Sequence, residues 1–210
     1  MFAASTYEEI ERYEREIENA EIVVFLFVRA SETDILKEFE YIHYNAGKYC
    51  SVYAIGYTND FSKEEDKAYR KIETYLDSDW YYSAEAFTEF KEKLEDRIHW
   101  RYSGEVDVLI LQNNPGKTNV LNFQNYVAIS INKGIREGYI DSFQSFMESL
   151  IRSSKSKVTA QEAIQDVQKD RIHIKDILAD AIDECKKIPT PVKEIFKDRL
   201  FYRSANTISI

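Results

Sequence analysis

Trp100-Arg101-Tyr102-Ser103-Gly104-Glu105-Val106-Asp107-Val108-Leu109-Ile110-Leu111-Gln112 leads from a charged amphipathic helix through a Ser-Gly turn into a strand. Apart from Asp107, residues 106–111 are too continuously apolar for a strand with one wet face, so they predict the centre of a sheet covered on both sides. A carboxylate at the mouth of such a strand must be paired, hydrogen-bonded or functional, because burying it alone is costly. Upstream, residues 84–98 place Phe87, Phe90, Leu94 and Ile98 on one helical face, with Ser83 as N-cap. Downstream, the turn cluster Asn113-Asn114-Pro115-Gly116-Lys117 leads to a second apolar strand at 122–132, and so short a gap predicts an antiparallel hairpin.

Nearer the N-terminus, residues 22–28 read as the first core strand. The segment after it turns into a helix through Ile35, Leu36, Phe39 and Ile42, which closes at Asn45-Ala46-Gly47 before a strand at 49–57. That is a βαβ crossover, which makes its two strands parallel neighbours. Residues 6–19 form a surface helix capped by Ser5 or Thr6, with Tyr7, Ile10, Tyr13 and Ile17 as its apolar stripe. Residues 59–79, with Tyr69, Ile72, Tyr75 and Leu76 at helical spacing, read as an inserted helix or a mobile lid. Asp141 or Ser142 caps a helix through Phe143, Phe146, Met147, Leu150 and Ile151. The expected fold is therefore α/β: a four-stranded mixed sheet of thioredoxin-like topology with added N- and C-terminal helices. The serine-lysine stretch 152–157 reads as a linker. It divides a core domain at 1–152 from a helical extension at 158–201, whose long helix starts at Thr159, and a polar tail at 202–210.

At 210 residues the chain buries a core without disulfide staples, and Cys50 and Cys185 read as buried thiols in a reducing compartment. The first nineteen residues are acidic and helical in pattern, unlike a signal peptide, and no apolar run approaches a membrane span. The expected setting is cytoplasmic, with no membrane contact. A net charge of −9 without any lysine-arginine block argues against binding nucleic acid, where neutralising phosphates supplies most of the affinity. Fifteen tyrosines and twelve phenylalanines against six glycines and three prolines suit a compact chain with short loops.

Several chemistries fail on residue type. Dithiol exchange needs a low-pKa cysteine at the start of the first crossover helix and a proline before the third core strand; this chain has Ala30-Ser31-Glu32-Thr33 and Glu105-Val106-Asp107 there. Pro115-Gly116-Lys117-Thr118 lacks the upstream glycine of a phosphate-binding loop and leads into a strand. Gly104-Glu105-Val106-Asp107 matches the first half of a restriction-nuclease-like metal site, with Glu92 or Glu95 nearby. The second half fails, because Ser130-Ile131-Asn132-Lys133 offers no carboxylate. No Gly-x-Ser-x-Gly elbow accompanies His43, His99 and His173.

Two polar loops remain as ligand-binding candidates. One holds His43 and Lys48, the other Trp100, Arg101 and Tyr102 with Asp107 behind them. If both loops enter parallel strands they lie at one edge of the sheet, and together they offer cations, aromatic faces and backbone amides to an anionic or planar ligand. Ligands of open α/β sheets more often sit at the strands' carboxyl ends, which points instead to the loops after Val28, Tyr57 and Gln112. No catalytic residue, metal or cofactor is assigned.

Tyr41 and His43 with Gly47-Lys48, Tyr53 with Gly56-Tyr57, and Trp100-Arg101-Tyr102-Ser103-Gly104 with Asp107 resemble a set of uncharacterised bacterial proteins of about this size. The resemblance spans most of residues 22–152 and brings no established activity. It implies a bacterial cytosolic origin, with defence or toxin-immunity loci as one setting. The residues then suit a non-catalytic binding or regulatory protein that acts through protein-protein contacts or self-association, since tyrosine is enriched at interfaces. The alternative is an enzyme with a spatially assembled polar site, such as a divergent metal-dependent nuclease or hydrolase.

Overall fold

The computed structural model describes residues 1–17, 22–46, 50–74, 76, 78–114, 116–138, 140–163 and 202–203. Strand β1 (Phe2–Ala4) and helix α1 (Tyr7–Glu16) precede β2 (Ile22–Phe27), and α2 (Thr33–Leu36) and α3 (Phe39–Ala46) lead into β3 (Cys50–Ile55). Three short strands follow, β4 (Tyr57–Thr58), β5 (Arg70–Ile72) and β6 (Trp80–Tyr82), and then helix α4 (Ala84–Arg97). The hairpin β7 (Asp107–Asn113) and β8 (Leu121–Ser130) is followed by α5 (Ile131–Arg136), α6 (Phe143–Ala163) and an edge strand β9 (Tyr202–Arg203).

The chain is a mixed α/β protein with a mixed six-stranded sheet in the order β1-β3-β2-β7-β8-β9. Strands β1, β2 and β3 are parallel, while β7 runs antiparallel to β2, β8 to β7 and β9 to β8. Every residue of β2, β3 and β7 is buried, because helices cover both faces. Val24, Leu26, Val52, Ala54, Val108 and Ile110 share one core with Phe39 and Ile42 of α3 and Phe146, Met147 and Leu150 of α6. The alternate residues Val23, Phe25, Phe27, Tyr53, Leu109 and Leu111 share the other with Ile10 of α1 and Phe87, Phe90 and Leu94 of α4. This two-sided burial is the physical reason the strands read as continuous apolar runs. The helix starts are equally local: Thr6 and Glu9 form a reciprocal capping box on α1, and the Ser83 hydroxyl accepts from Ala86 N on α4 at 3.2 Å.

Several expectations need correction. The sheet has six strands where four were expected, because β1 and β9 extend its two edges. Among its described residues, segment 59–79 holds one 3-10 turn at Phe61–Lys63, capped by Asp60, and then β5, in place of the expected inserted helix. Strand β5 pairs antiparallel with β6, Ile72 opposite Trp80, in a separate three-stranded sheet ordered β4-β6-β5. The apolar residues there are too sparse to distinguish a helical period from an alternating one, and the Trp80 edge decides the matter. The strand expected to reach residue 132 stops at Ser130, where the Ile131 amide donates to Val106 O and α5 begins.

The 152–157 stretch is not a linker but lies inside α6, which also runs through Thr159. Ser153 and Ser154 are buried, and the Ser154 hydroxyl donates to Leu150 O at 2.8 Å, so the helix itself satisfies it. Most of the expected 158–201 extension lies outside the described residues. Among the described residues, no helix is long and apolar enough to cross a membrane.

Candidate functional site

The register of β2 separates the two loops that the sequence brought together. Ile22 pairs with Cys50 at the start of β3, whereas Phe27 pairs with Asp107 at the start of β7. Because β7 is antiparallel to β2, its entry loop stands at the opposite end of the sheet from that of β3, roughly 17 Å away along the strand. His43 is exposed on α3, and its Nδ1 donates to Met1 O at 3.1 Å. Lys48 lies outside the described residues. Trp100 is 2% exposed and packs on Phe27 with ring centroids 4.8 Å apart, which makes it a core residue. Arg101 Nη1 donates to Glu95 O at 2.6 Å and to Trp100 O at 3.0 Å, fastening the end of α4.

Asp107 is buried and locally engaged. The Ser103 hydroxyl donates to its Oδ1 at 2.6 Å, and the Ser103 amide donates to Oδ2 at 2.8 Å. Burial raises its pKa, and these two hydrogen bonds from Ser103 oppose the rise. Its visible work is to close the turn into β7. Glu14 on α1 is a second buried carboxylate: Tyr53 Oη donates to it at 2.6 Å and Asn113 Nδ2 at 2.9 Å. Burial raises this pKa too, against hydrogen bonds from Tyr53, Ser51 and Asn113.

Of the sequence-predicted group, Trp100 and Arg101 border an open hollow of about 580 Å³ with Glu95 to His99 at the end of α4, and Tyr102 lines a second cleft, at the carboxyl end of β2. Arg29, Ala30 and Ser31 form one side as the chain leaves β2, and Lys67 to Arg70 form another as it enters β5. Ala84, Phe87, Thr88 and Lys91, one face of α4, complete it with Tyr82 of β6 and Tyr102, enclosing about 540 Å³. Gly56 makes the enclosure possible. Its φ of +85° turns β3 into the small sheet, and a Cβ there would stand 2.6 Å from Phe87 Cβ.

Arg29, Lys67 and Arg70 are exposed, and among the described residues no carboxylate comes within ion-pair distance of them. Lys91 is shared with Glu92 at 3.7 Å and Glu95 at 4.0 Å. The Arg29 guanidinium lies 5.5 Å from the Tyr102 ring centroid, a cation–π contact. The Tyr102 hydroxyl is buried with no hydrogen-bond partner among the described residues. Its pKa is pushed up to about 12, chiefly by burial and against the pull of Arg29, so at neutral pH it is a protonated donor. No family model, no curated protein and no solved structure matches this chain.

What the cleft can do chemically follows from its lining, which among the described residues holds guanidinium, ammonium, phenol and small hydroxyl groups but no carboxylate, histidine or cysteine. Among the described residues, no group of three or more His, Cys, Asp or Glu is arranged to hold a metal ion. Sequence reasoning missed Arg29, Lys67 and Arg70. The available signal was the tendency of ligands to sit at the carboxyl ends of sheet strands, which marks the loops after Val28 and Tyr57. Lys67 and Arg70 were hidden in a segment read as helix.

Proposed function

We propose that this protein is a non-catalytic binding protein of the cytosol, which holds an anionic ligand in the cleft at the carboxyl end of β2 and serves regulation through contacts with protein partners. One observation carries this reading: in a chain of net charge −9, Arg29, Lys67 and Arg70 converge, without carboxylate partners among the described residues, on a tyrosine-lined cleft. An acidic protein that concentrates unpaired cations at one concave place focuses field there and attracts anions. Among the described residues the lining has no carboxylate, histidine or cysteine to act as base or nucleophile, which favours holding a ligand over converting it.

A thioredoxin-like reading of the fold is supported by the strand order β3-β2-β7-β8, with β2 and β3 parallel, β7 and β8 antiparallel, and helices on both faces. The cleft then lies where the first crossover helix of such a fold begins, with Arg29-Ala30-Ser31 in place of a reactive cysteine.

Titration of inorganic pyrophosphate at constant ionic strength tests the reading. A ligand at ten times its Kd adds about 1.4 kcal/mol, a few °C in unfolding temperature for a chain of this length. The exposed Arg70→Glu variant is expected to lose that rise. An equal response from wild type and variant, or none from either, removes the cleft as the site.

A further inference from the structure

Resting on the anion site proposed above, we infer that the ligand is a nucleoside di- or triphosphate, its phosphates held among Arg29, Lys67 and Arg70 and its base against Tyr102 and Tyr82. The charge count comes first. Three cations without carboxylate partners among the described residues face one cleft, whereas a single phosphate monoester carries about −1.5 to −2 at neutral pH. A diphosphate or longer chain matches the set. Two of the three cations are arginines, whose planar forks suit bidentate phosphate binding.

The rest of the lining is more than a bare phosphate needs. Tyr82, Tyr102 and Phe87 give the cleft aromatic walls, and about 540 Å³ exceeds what an inorganic anion fills and lies within the range of small-molecule sites. An aromatic base attached to the phosphates covers that surface, and sequence-tolerant stacking of bases on aromatic side chains is a general mode of recognition. The Arg29–Tyr102 contact puts phosphate binding and ring contact side by side. The buried Tyr102 hydroxyl, without a partner among the described residues, supplies a donor for a base or sugar acceptor, and the Ser31 and Thr88 side chains stand at the rim where a ribose would lie. A long nucleic acid fits poorly, because the charge of the whole chain is −9 and would repel an extended backbone.

Isothermal titration of the full chain with ADP, GDP, adenosine, inorganic pyrophosphate and phosphotyrosine tests the inference. At least one nucleoside diphosphate is expected to bind about tenfold or more tighter than both adenosine and pyrophosphate, since neither fragment uses the whole cleft. The exposed Lys67→Glu and Arg70→Glu variants should weaken nucleotide and pyrophosphate alike. Tyr102→Phe should weaken the nucleotide several-fold while leaving pyrophosphate affinity and the unfolding temperature unchanged, because the hydroxyl it removes has no partner among the described residues. Pyrophosphate binding as tightly as either nucleotide overturns the nucleoside inference and leaves the anion site standing. Phosphotyrosine binding more tightly than the nucleotides overturns it in favour of a phosphopeptide. Millimolar concentrations of every probe without binding overturn the anion site itself.

Discussion

Replacing Glu14 tests how α1 is held to the sheet. Its carboxylate is fully buried and accepts from Tyr53 Oη at 2.6 Å and Asn113 Nδ2 at 2.9 Å, two donors on strands β3 and β7. Glu14→Ala takes this acceptor from both groups, at about 1–3 kcal/mol each, and removes buried methylenes worth roughly 1 kcal/mol. The expected loss is about 3–7 kcal/mol, a large part of the stability of an ordinary domain. Glu14→Gln keeps an oxygen acceptor and the volume, so it should cost much less, and its pH dependence is the informative part. Burial raises the folded-state pKa of Glu14 above its unfolded value, so between the two the folded protein holds a proton that the unfolded chain has released. Its contribution to stability is therefore complete below the unfolded pKa and declines as pH rises through the folded one. The glutamine has no such proton to lose. Urea unfolding of both proteins from pH 4 to pH 8 should show the wild type losing stability relative to Glu14→Gln as pH rises. A stability difference that is flat with pH, or an alanine variant within about 1 kcal/mol of wild type, refutes this account.

Gly56→Ala forces an L side chain to φ +85° with its Cβ against Phe87, so a loss of at least about 2 kcal/mol and weaker ligand binding are expected by thermal unfolding and titration. Ser103→Ala removes the 2.6 Å donor to Asp107 and should cost about 1–3 kcal/mol. Because that hydrogen bond favours the ionised carboxylate, its loss raises the folded pKa further, and the penalty should be larger at pH 8 than at pH 4 in denaturant titrations.

Much of the core was legible because its causes are local. Residues 22–28 and 106–111 are apolar without interruption, save Asp107, because each strand is covered on both faces. The caps at Thr6 and Ser83, and the closure of Asp107 by a serine four residues before it, act within a single turn of chain. Edge strands β1 and β9 were not legible. Strands of two or three residues carry no period, and pairing with β3 and β8 defines them. The serine-rich piece of α6 looked like a linker because a side chain that bonds its own helix leaves no apolar mark in the sequence.

The sequence by itself determined the α/β class, the helices that flank the core strands, and the absence of a paired-cysteine redox motif, since each depends on residue type and spacing along the chain. Only the tertiary structure decided which loops meet. The antiparallel setting of β7 against β2 sends His43 and Asp107 to opposite ends of the sheet. The positive φ of Gly56 folds the small sheet toward α4, so that Arg29, Arg70 and Tyr102 share one cleft. Strand direction and the meeting of distant loops depend on pairings between segments far apart in the chain, and local periodicity carries no record of those pairings.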